Sequence, residues 1–372
     1  MSTTLGAAVA SEAAPAGAVP ASGRLVSLDA YRGFIMLLLV SHGFGLSALA
    51  GYPRLEWLAK QFDHAAWEGA TFWDLIQPAF TFMVGVAMPF AFARRTAAGA
   101  DFWKLFRHVA WRSVALILLS NVLSNFGSSR PGPQLQLVNV LCQIAFGYSL
   151  CFLITRMKLT LQIAAGVSIL AGYWALFVLF PGPDGPFSQT GNIGALIDRS
   201  VLGYNYGGYY TTINFIGNAV TILFGCWTGM LLIRAHSHTY KLKVLAAAAV
   251  AAIAEGLALS PVNPMVKRLW TASFTFYSAG WVILMLVVFY WLVEVRGYRK
   301  WTFPFIVFGM NSIFIYSFSQ VLHGWLYRGL GVFTGNFWYL GKLGEIPQNV
   351  ATLAVMWYLC YWLYQRKIFL KI

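Results

Sequence analysis

Runs of about 20 mostly apolar residues recur along this chain, near 28–50, 71–93, 103–125, 137–156, 159–180, 213–234, 242–260, 271–294, 303–325 and 347–365. A helix of about 20 residues crosses the ~30 Å hydrocarbon core of a bilayer. No water is available there to satisfy backbone N–H and C=O groups, so only helices, or strands closed into a barrel, are tolerated. The runs are too long for barrel strands and lack their short alternating pattern. The sequence therefore predicts an all-α polytopic membrane helix bundle of about 10 transmembrane helices. Composition agrees, since 59% of the 372 residues are hydrophobic and 10% are charged, against ~25% charged in soluble domains. No internal repeat is visible, so a transporter built from duplicated halves gains no support. Residues 24–372 are expected to form one transmembrane domain.

The formal net charge is +14. In a soluble domain that excess would suggest nucleic acid, but here its placement has another reading, and no nucleic-acid partner is expected. Sixteen Lys and Arg residues, among them Arg94, Arg95, Lys104 and Arg107, fall in connectors on one side, and eight, among them Lys267 and Arg268, on the other. The positive-inside rule then places both termini in the cytoplasm, N-in/C-in, and an even number of spans agrees. Residues 1–23 are rich in Ala, Gly, Pro and Ser and lack Lys and Arg, as expected of a disordered N-terminal tail. They have neither the basic start nor the apolar core of a secretory signal. The four cysteines, Cys142, Cys151, Cys226 and Cys360, show no CxxC or Cys/His spacing, so no disulfide framework and no metal site are expected.

An ionisable side chain within a span costs at least ~2.5 kcal/mol and calls for a functional or a paired explanation. Asp29 and Arg32 stand three apart at the mouth of the first span, where they can pair. His42 follows about 15 Å along the helix. Residues 62–78, FDHAAWEGATFWDLIQP, bring His64, Glu68 and Asp74 to the start of the second span. In one unbroken helix His64 and Asp74 would be misaligned. Gly69 makes a broken or re-entrant segment the expectation, and such a segment could bring the imidazole against a carboxylate that fixes its tautomer. Taken singly, each of these has a bland reading as an ion pair, a satisfied core histidine or a solvated loop residue. Asn121, Asn125, Asn139, Gln143, Asn214, Asn218 and Asn311 add more intramembrane amides than interhelical hydrogen bonding needs, and together they suggest a polar cavity.

The stretch RLVSLDAYRG (24–33), then HAAWEG, then FWDLIQPAFTFMVGVAMPF, resembles the heparan-alpha-glucosaminide N-acetyltransferase family of transmembrane acyltransferases. Further blocks match in order, from VLCQIAFGY (140–148) through PVNPMVKRLWTASFTFYSAG (261–280) and GMNSIFIY (309–316) to the closing YQRKIFLKI. The resemblance implies an integral membrane enzyme that takes acetyl from cytoplasmic acetyl-CoA and delivers it to an amino sugar or glycan on the far side. It makes His64 the active histidine and Asp74 the family aspartate ten residues on. On that reading His42 is a second candidate acid or base. Arg32, Asp29 and Gln143 are candidates for the coenzyme end, and Trp67, Glu68, Asn214 and Asn311 for the acceptor. Acetyl-CoA is the expected donor, with no metal, and the expected setting is a bacterial inner membrane. The sequence leaves a homo-oligomer open.

The chain also departs from the family pattern. His42 stands where Asn is common, Leu141-Cys142-Gln143 where Leu-Gln-Arg is usual, and Asn205-Tyr206-Gly207-Gly208 where an Asp-Pro-Glu-Gly element is common. A cation and two carboxylates are thus replaced. A transporter or flippase of a small polar or glycan substrate, and a catalytically degenerate member, are the competing readings.

Overall fold

A computed structural model describes residues 25–126 and 134–370. The expected tail over 1–23 lies outside the described residues. Thirteen helices occur in the described residues: α1 (Val26–Val40), α2 (Glu56–Gln61), α3 (Ile76–Ala97), α4 (Phe102–Asn125), α5 (Val140–Ile154), α6 (Leu159–Leu179), α7 (Ile193–Leu202), α8 (Phe215–Ile233), α9 (His238–Leu259), α10 (Ala272–Tyr290), α11 (Phe303–Met310), α12 (Ser312–Thr334) and α13 (Glu345–Gln365). No strand occurs among the described residues. Each expected apolar run is occupied by one of these helices or a consecutive pair. Five helices are long and apolar enough to cross a membrane, or up to seven if each of two bent pairs counts as one span. The difference from about ten has physical sources. Helix α5 has 15 residues, about 22 Å of rise, and α4 carries Lys104, Arg107 and Arg112 within its length.

Helix boundaries follow local chemistry. The side chains of Asp101, Asn139, Asn192 and Ser237 accept hydrogen bonds from the first turns of α4, α5, α7 and α9, and so satisfy donors that a helix start leaves open. Helix α7 ends at Gly203, whose φ of 83° is the left-handed C-terminal cap. A sharper break follows α1. Residues His42, Gly43, Phe44 and Gly45 all have φ between 49° and 69°, and the chain bends by 53° into a run of 3-10 turns, His42–Gly51. Left-handed φ at non-glycine residues is uncommon and is sustained only where the surroundings demand it.

Lipid tails are as apolar as leucine, so helices in a bilayer associate through close packing and small residues rather than by burial from water. The α3 and α8 pair shows this directly. Gly225 and Gly229 of α8 are spaced as GxxxG, and a Cβ on either would collide with the Phe82 or Val86 carbonyl oxygen of α3. A Cβ on Gly85 of α3 would strike the Ile222 carbonyl in return. The same close approach joins α1 to α11 at Gly33 and α9 to α10 at Gly256 and Gly280. Tyr31 of α1 donates to the Val282 carbonyl of α10 at 2.9 Å. The interior lies between α1, α3, α5, α8 and α10, with Phe82, Phe152, Ile222 and Leu286 fully buried.

Gly225→Val is expected to cost about 1–3 kcal/mol through overpacking, seen as a lowered melting temperature of the detergent-solubilised chain. Gly172, with nothing near its would-be Cβ, provides the contrast. There Gly172→Ala is expected to be neutral or to stabilise α6 by up to ~1 kcal/mol.

Candidate active site

Helix α2 ends at Gln61, and residues 62–72 run irregularly, with Gly69 at φ 102°. A single 3-10 turn, Trp73–Leu75, then leads into α3. Thr71 and Asp74 cap this start reciprocally. The Thr71 N–H donates to Asp74 Oδ2 at 3.2 Å, and the Asp74 N–H donates to Thr71 Oγ1 at 3.4 Å. That is capping-box geometry, and it sets the carboxylate where the helix dipole favours negative charge. The broken segment folds back so that His64 Nδ1 lies 2.7 Å from Asp74 Oδ1, and the Ala65 N–H donates to Oδ2 at 3.0 Å. The carboxylate has no proton donor of its own to offer when ionised, so a bare Nδ1 would oppose two lone pairs at 2.7 Å. Nδ1 therefore carries the ring proton, and Nε2 is left as the acceptor.

Lys267 completes the group. Its Nζ lies 3.1 Å from Asp74 Oδ1 and 3.2 Å from His64 Nδ1. The Asp74 and Lys267 side chains are 2% and 8% exposed, whereas that of His64 is 43% exposed. The ion pair is thus buried beneath an imidazole that faces open space. Each carboxylate oxygen accepts from at least two donors, which is what a charge withdrawn from water requires. Lys267 owes its place to a tight turn before α10. Trp270, fully buried and at φ 54°, returns its N–H to the Lys267 carbonyl at 3.0 Å, and its indole donates to Thr221 Oγ1 of α8 at 3.0 Å. Arg268, next in the chain, donates to the carbonyls of Ala65 and Ala66, and Gly69 N–H donates to the Met265 carbonyl at 2.8 Å. The turn therefore clamps the histidine loop at several points.

A cavity of about 450 Å³ opens over this group, lined by His64, Lys267, His42, Asp63, Gln77 and Tyr210, with apolar walls from Leu39, Phe62, Trp73 and Ile76. The break after α1 brings His42 to the wall. There its ring stacks on His323 of α12, with centroids 3.7 Å apart, and Nε2 lies 3.3 Å from Ser319 Oγ. Behind the wall runs a chain of amides. Gln77 donates to Gln143 at 2.5 Å, Gln143 donates to Asn214 at 2.6 Å, and Asn214 donates to the Arg268 carbonyl at 3.3 Å. Trp67 lines a smaller cleft shared with His64, Asp74 and Lys267, where its indole donates to the Phe187 carbonyl at 2.9 Å.

The remaining candidates go elsewhere. Gln143 and Asn214 are fully buried and hydrogen-bonded to each other behind the cavity wall. Glu68 is exposed beside Trp67 and lines neither cavity. Asn311 is not brought to the cavity. Its amide bonds Ile368 O at 3.0 Å and Leu370 N at 3.1 Å, fastening the C-terminal tail. Arg32 lies at that same end, donating to Gly309 O at 3.1 Å and to Asp29 Oδ1 at 3.0 Å. Asn121 and Asn125 hold residues 134–136, and Asn139 caps α5, so these three amides are structural fasteners. Among the described residues no cluster of three or more His, Cys, Asp or Glu side chains is placed to hold a metal ion.

Fold and site together define a polytopic helical membrane protein with a histidine–carboxylate–lysine centre beside a polar cavity. A family model described as a domain of unknown function (DUF5009) matches residues 24–190. Heparan-alpha-glucosaminide N-acetyltransferase of Homo sapiens is 25% identical over 423 aligned residues, covering 94% of this chain and 60% of the relative. The Mus musculus protein of the same name is 23% identical, covering 94% of this chain and 61% of the relative. These likenesses support the resemblance carried by the motifs around His64 and Asp74, and the chain spans about 60% of the length of these relatives.

Lys267 was counted above only as a topogenic charge, and its role at the centre can be tested. Lys267→Met leaves Asp74 as an unpaired buried carboxylate and is expected to destabilise the chain by about 3–5 kcal/mol. The double variant with Asp74→Asn is expected to recover most of that loss in thermal unfolding, giving a large coupling in the double-mutant cycle.

Proposed function

We propose that the chain is an integral membrane acyltransferase that moves an acetyl group from cytoplasmic acetyl-CoA to an amino sugar or glycan on the opposite side. The observation that carries this reading is His64, a residue of the cavity lining whose Nδ1 is bound to a buried carboxylate at 2.7 Å, which leaves Nε2 as the ring's acceptor. Homology to membrane acetyltransferases supports the same class. As the acceptor nitrogen attacks the thioester carbonyl, Nε2 takes its proton. The new C–N bond forms and the C–S bond breaks, with release of the coenzyme thiol. Asp74 holds the ring in the useful tautomer, and the imidazolium that forms gains from the adjacent carboxylate. An acetyl-histidine route would use the same Nε2 as nucleophile.

His42, on the wall of the same cavity, is the second acid or base in this reading. The donor belongs at the opposite end of α1, about 15 Å away, where Arg32 and Asp29 pair and where Arg94, Arg95, Lys104 and Arg107 supply cations for phosphates. Ten spans with both termini inside, in a bacterial cytoplasmic membrane, complete the proposal. This topology puts the His64 loop outside and the coenzyme inside.

The test is acetyl transfer to glucosamine by the purified full chain in detergent, with acetyl-CoA as donor and the product read by mass spectrometry. His64→Ala is expected to abolish turnover, and Asp74→Asn to lower kcat by about 10²–10⁴. Undiminished transfer by His64→Ala would sink the reading. His42→Asn is expected to lower kcat by a smaller factor, and full activity there would remove His42 from the chemistry. An alkaline phosphatase fused at residue 64 should be active in cells and one fused at the C-terminus inactive. The reverse pattern would overturn the orientation.

A further inference from the structure

An amine acceptor asks for more than one base, and this inference rests on the acyltransferase reading. An amine comparable to an α-amino group, with a pKa of ~7.7–8.0, is largely an ammonium at neutral pH. Its reaction with a thioester yields an amide, a thiol and one free proton. The nitrogen therefore loses two protons, one before it can attack and one as the C–N bond forms. His64 Nε2 takes the second and returns it to the departing thiolate. The first needs another acceptor, because an imidazole that already holds both of its protons is no longer a base.

His42 and His323 supply a second base on the same cavity. His42 is exposed and lines it, whereas His323 is half-buried and does not. The His42 backbone sits at φ 49°, a conformation that is costly for a non-glycine residue and is found most often at functional sites. Its ring lies flat on His323, centroids 3.7 Å apart and planes 21° apart, and its Nε2 is 3.3 Å from the buried Ser319 Oγ. Both contacts suit a protonated His42. Ser319 Oγ has lone pairs to accept from Nε2–H, and a cation over an aromatic face is favoured. With Nε2 engaged, Nδ1 is the nitrogen left to exchange a proton. Two imidazolium rings stacked at this distance repel strongly, so the pair holds one proton and no second.

The surroundings let that proton come and go. Neither ring forms an ion pair with a carboxylate among the described residues. On α12 Tyr327 lies 6.1 Å from His323, and Glu345 begins α13. Glu56 and Lys60 of α2 pair with each other at 2.8 Å, and Lys342 lies in the connector before α13. Elsewhere in the cavity lining stand His64, Lys267, which is committed to Asp74, and Tyr210, which also lines the smaller cleft. Asp63 completes the lining, and its carboxylate, which accepts from the His64 N–H at 2.7 Å, favours the entry of a cation.

We propose that His42 and His323 form a one-proton base that strips the ammonium form of the acceptor before attack. His42 touches the substrate, and His323 is a positioning residue that holds the ring and stabilises its charged form. His64 is thereby left for the proton released as the C–N bond forms, and the pair unloads to water between turnovers.

The experiment follows kcat/KM, counted on total acceptor, against pH for glucosamine and acetyl-CoA with the full chain in detergent. The wild type, which uses the ammonium, is expected to give a bell that falls above the amine's pKa. His42→Asn uses only the free amine, so its value should climb through that pKa to a plateau and lie about tenfold below the plateau at about pH 6.5. Reaching the plateau also shows that the variant is folded. His323→Ala should give the same displaced profile, and His323→Phe, which keeps an aromatic face, should return toward the bell. A His42→Asn profile parallel to the wild type at every pH overturns the inference and leaves the acyltransferase reading standing, since transfer has then been observed. No transfer by the wild type at any pH defeats that reading and this inference together.

Discussion

A carboxylate taken out of water must be matched donor by donor, and Asp74 is matched by groups from two separate parts of the chain. His64, Ala65 and Thr71 come from the irregular segment, and Lys267 from the turn before α10. Withdrawing such a charge costs several kcal/mol unless the geometry is good and every lone pair is met. The requirement therefore binds two segments to one point. It also fixes the imidazole, whose ring proton is committed to Oδ1.

The rest of the bundle serves that arrangement by letting polar and irregular backbone exist inside an apolar body. The GxxxG seam draws α8 against α3, and α8 carries Thr221, to which the buried Trp270 is tied. Trp270 in turn shapes the bend that holds Lys267. The left-handed break at 42–45 stops α1 short and turns His42 onto the cavity wall. Non-helical backbone at membrane depth is tolerated where it is buried in protein or lines a polar space, and both breaks meet that condition. The two cavities and the clamp by Arg268 leave the chemistry on loops, positioned by rigid helices, as binding and catalytic groups commonly are.

Much was legible beforehand, and the exceptions are instructive. Apolar run length foretold helices because a lipid solvent leaves the backbone few alternatives. It overstated what length and composition alone support as spans, since α5 is short and α4 is charged. The rule that intramembrane polar groups carry function pointed to a polar cavity and to His42 on its wall, but most of the amides it singled out lie elsewhere. Asn121, Asn125, Asn139 and Asn311 secure loops and the tail, a use that residue type cannot reveal. Lys267 escaped notice because a basic residue beside an apolar run looks like an orientation signal. Its partner, Asp74, is 193 residues away.

Sequence by itself determined the solvent this chain is built for, the helical class and the resemblance to a known family. All of these are local or compositional: they depend on hydropathy and spacing. Tertiary structure alone decided that Lys267 joins His64 and Asp74, that His42 stacks on His323, and that Tyr210 is shared by two cavities. Those meetings depend on which helices pack closest, and in a bilayer that is settled by small-residue contacts and hydrogen-bond satisfaction across the bundle, neither of which a linear pattern encodes.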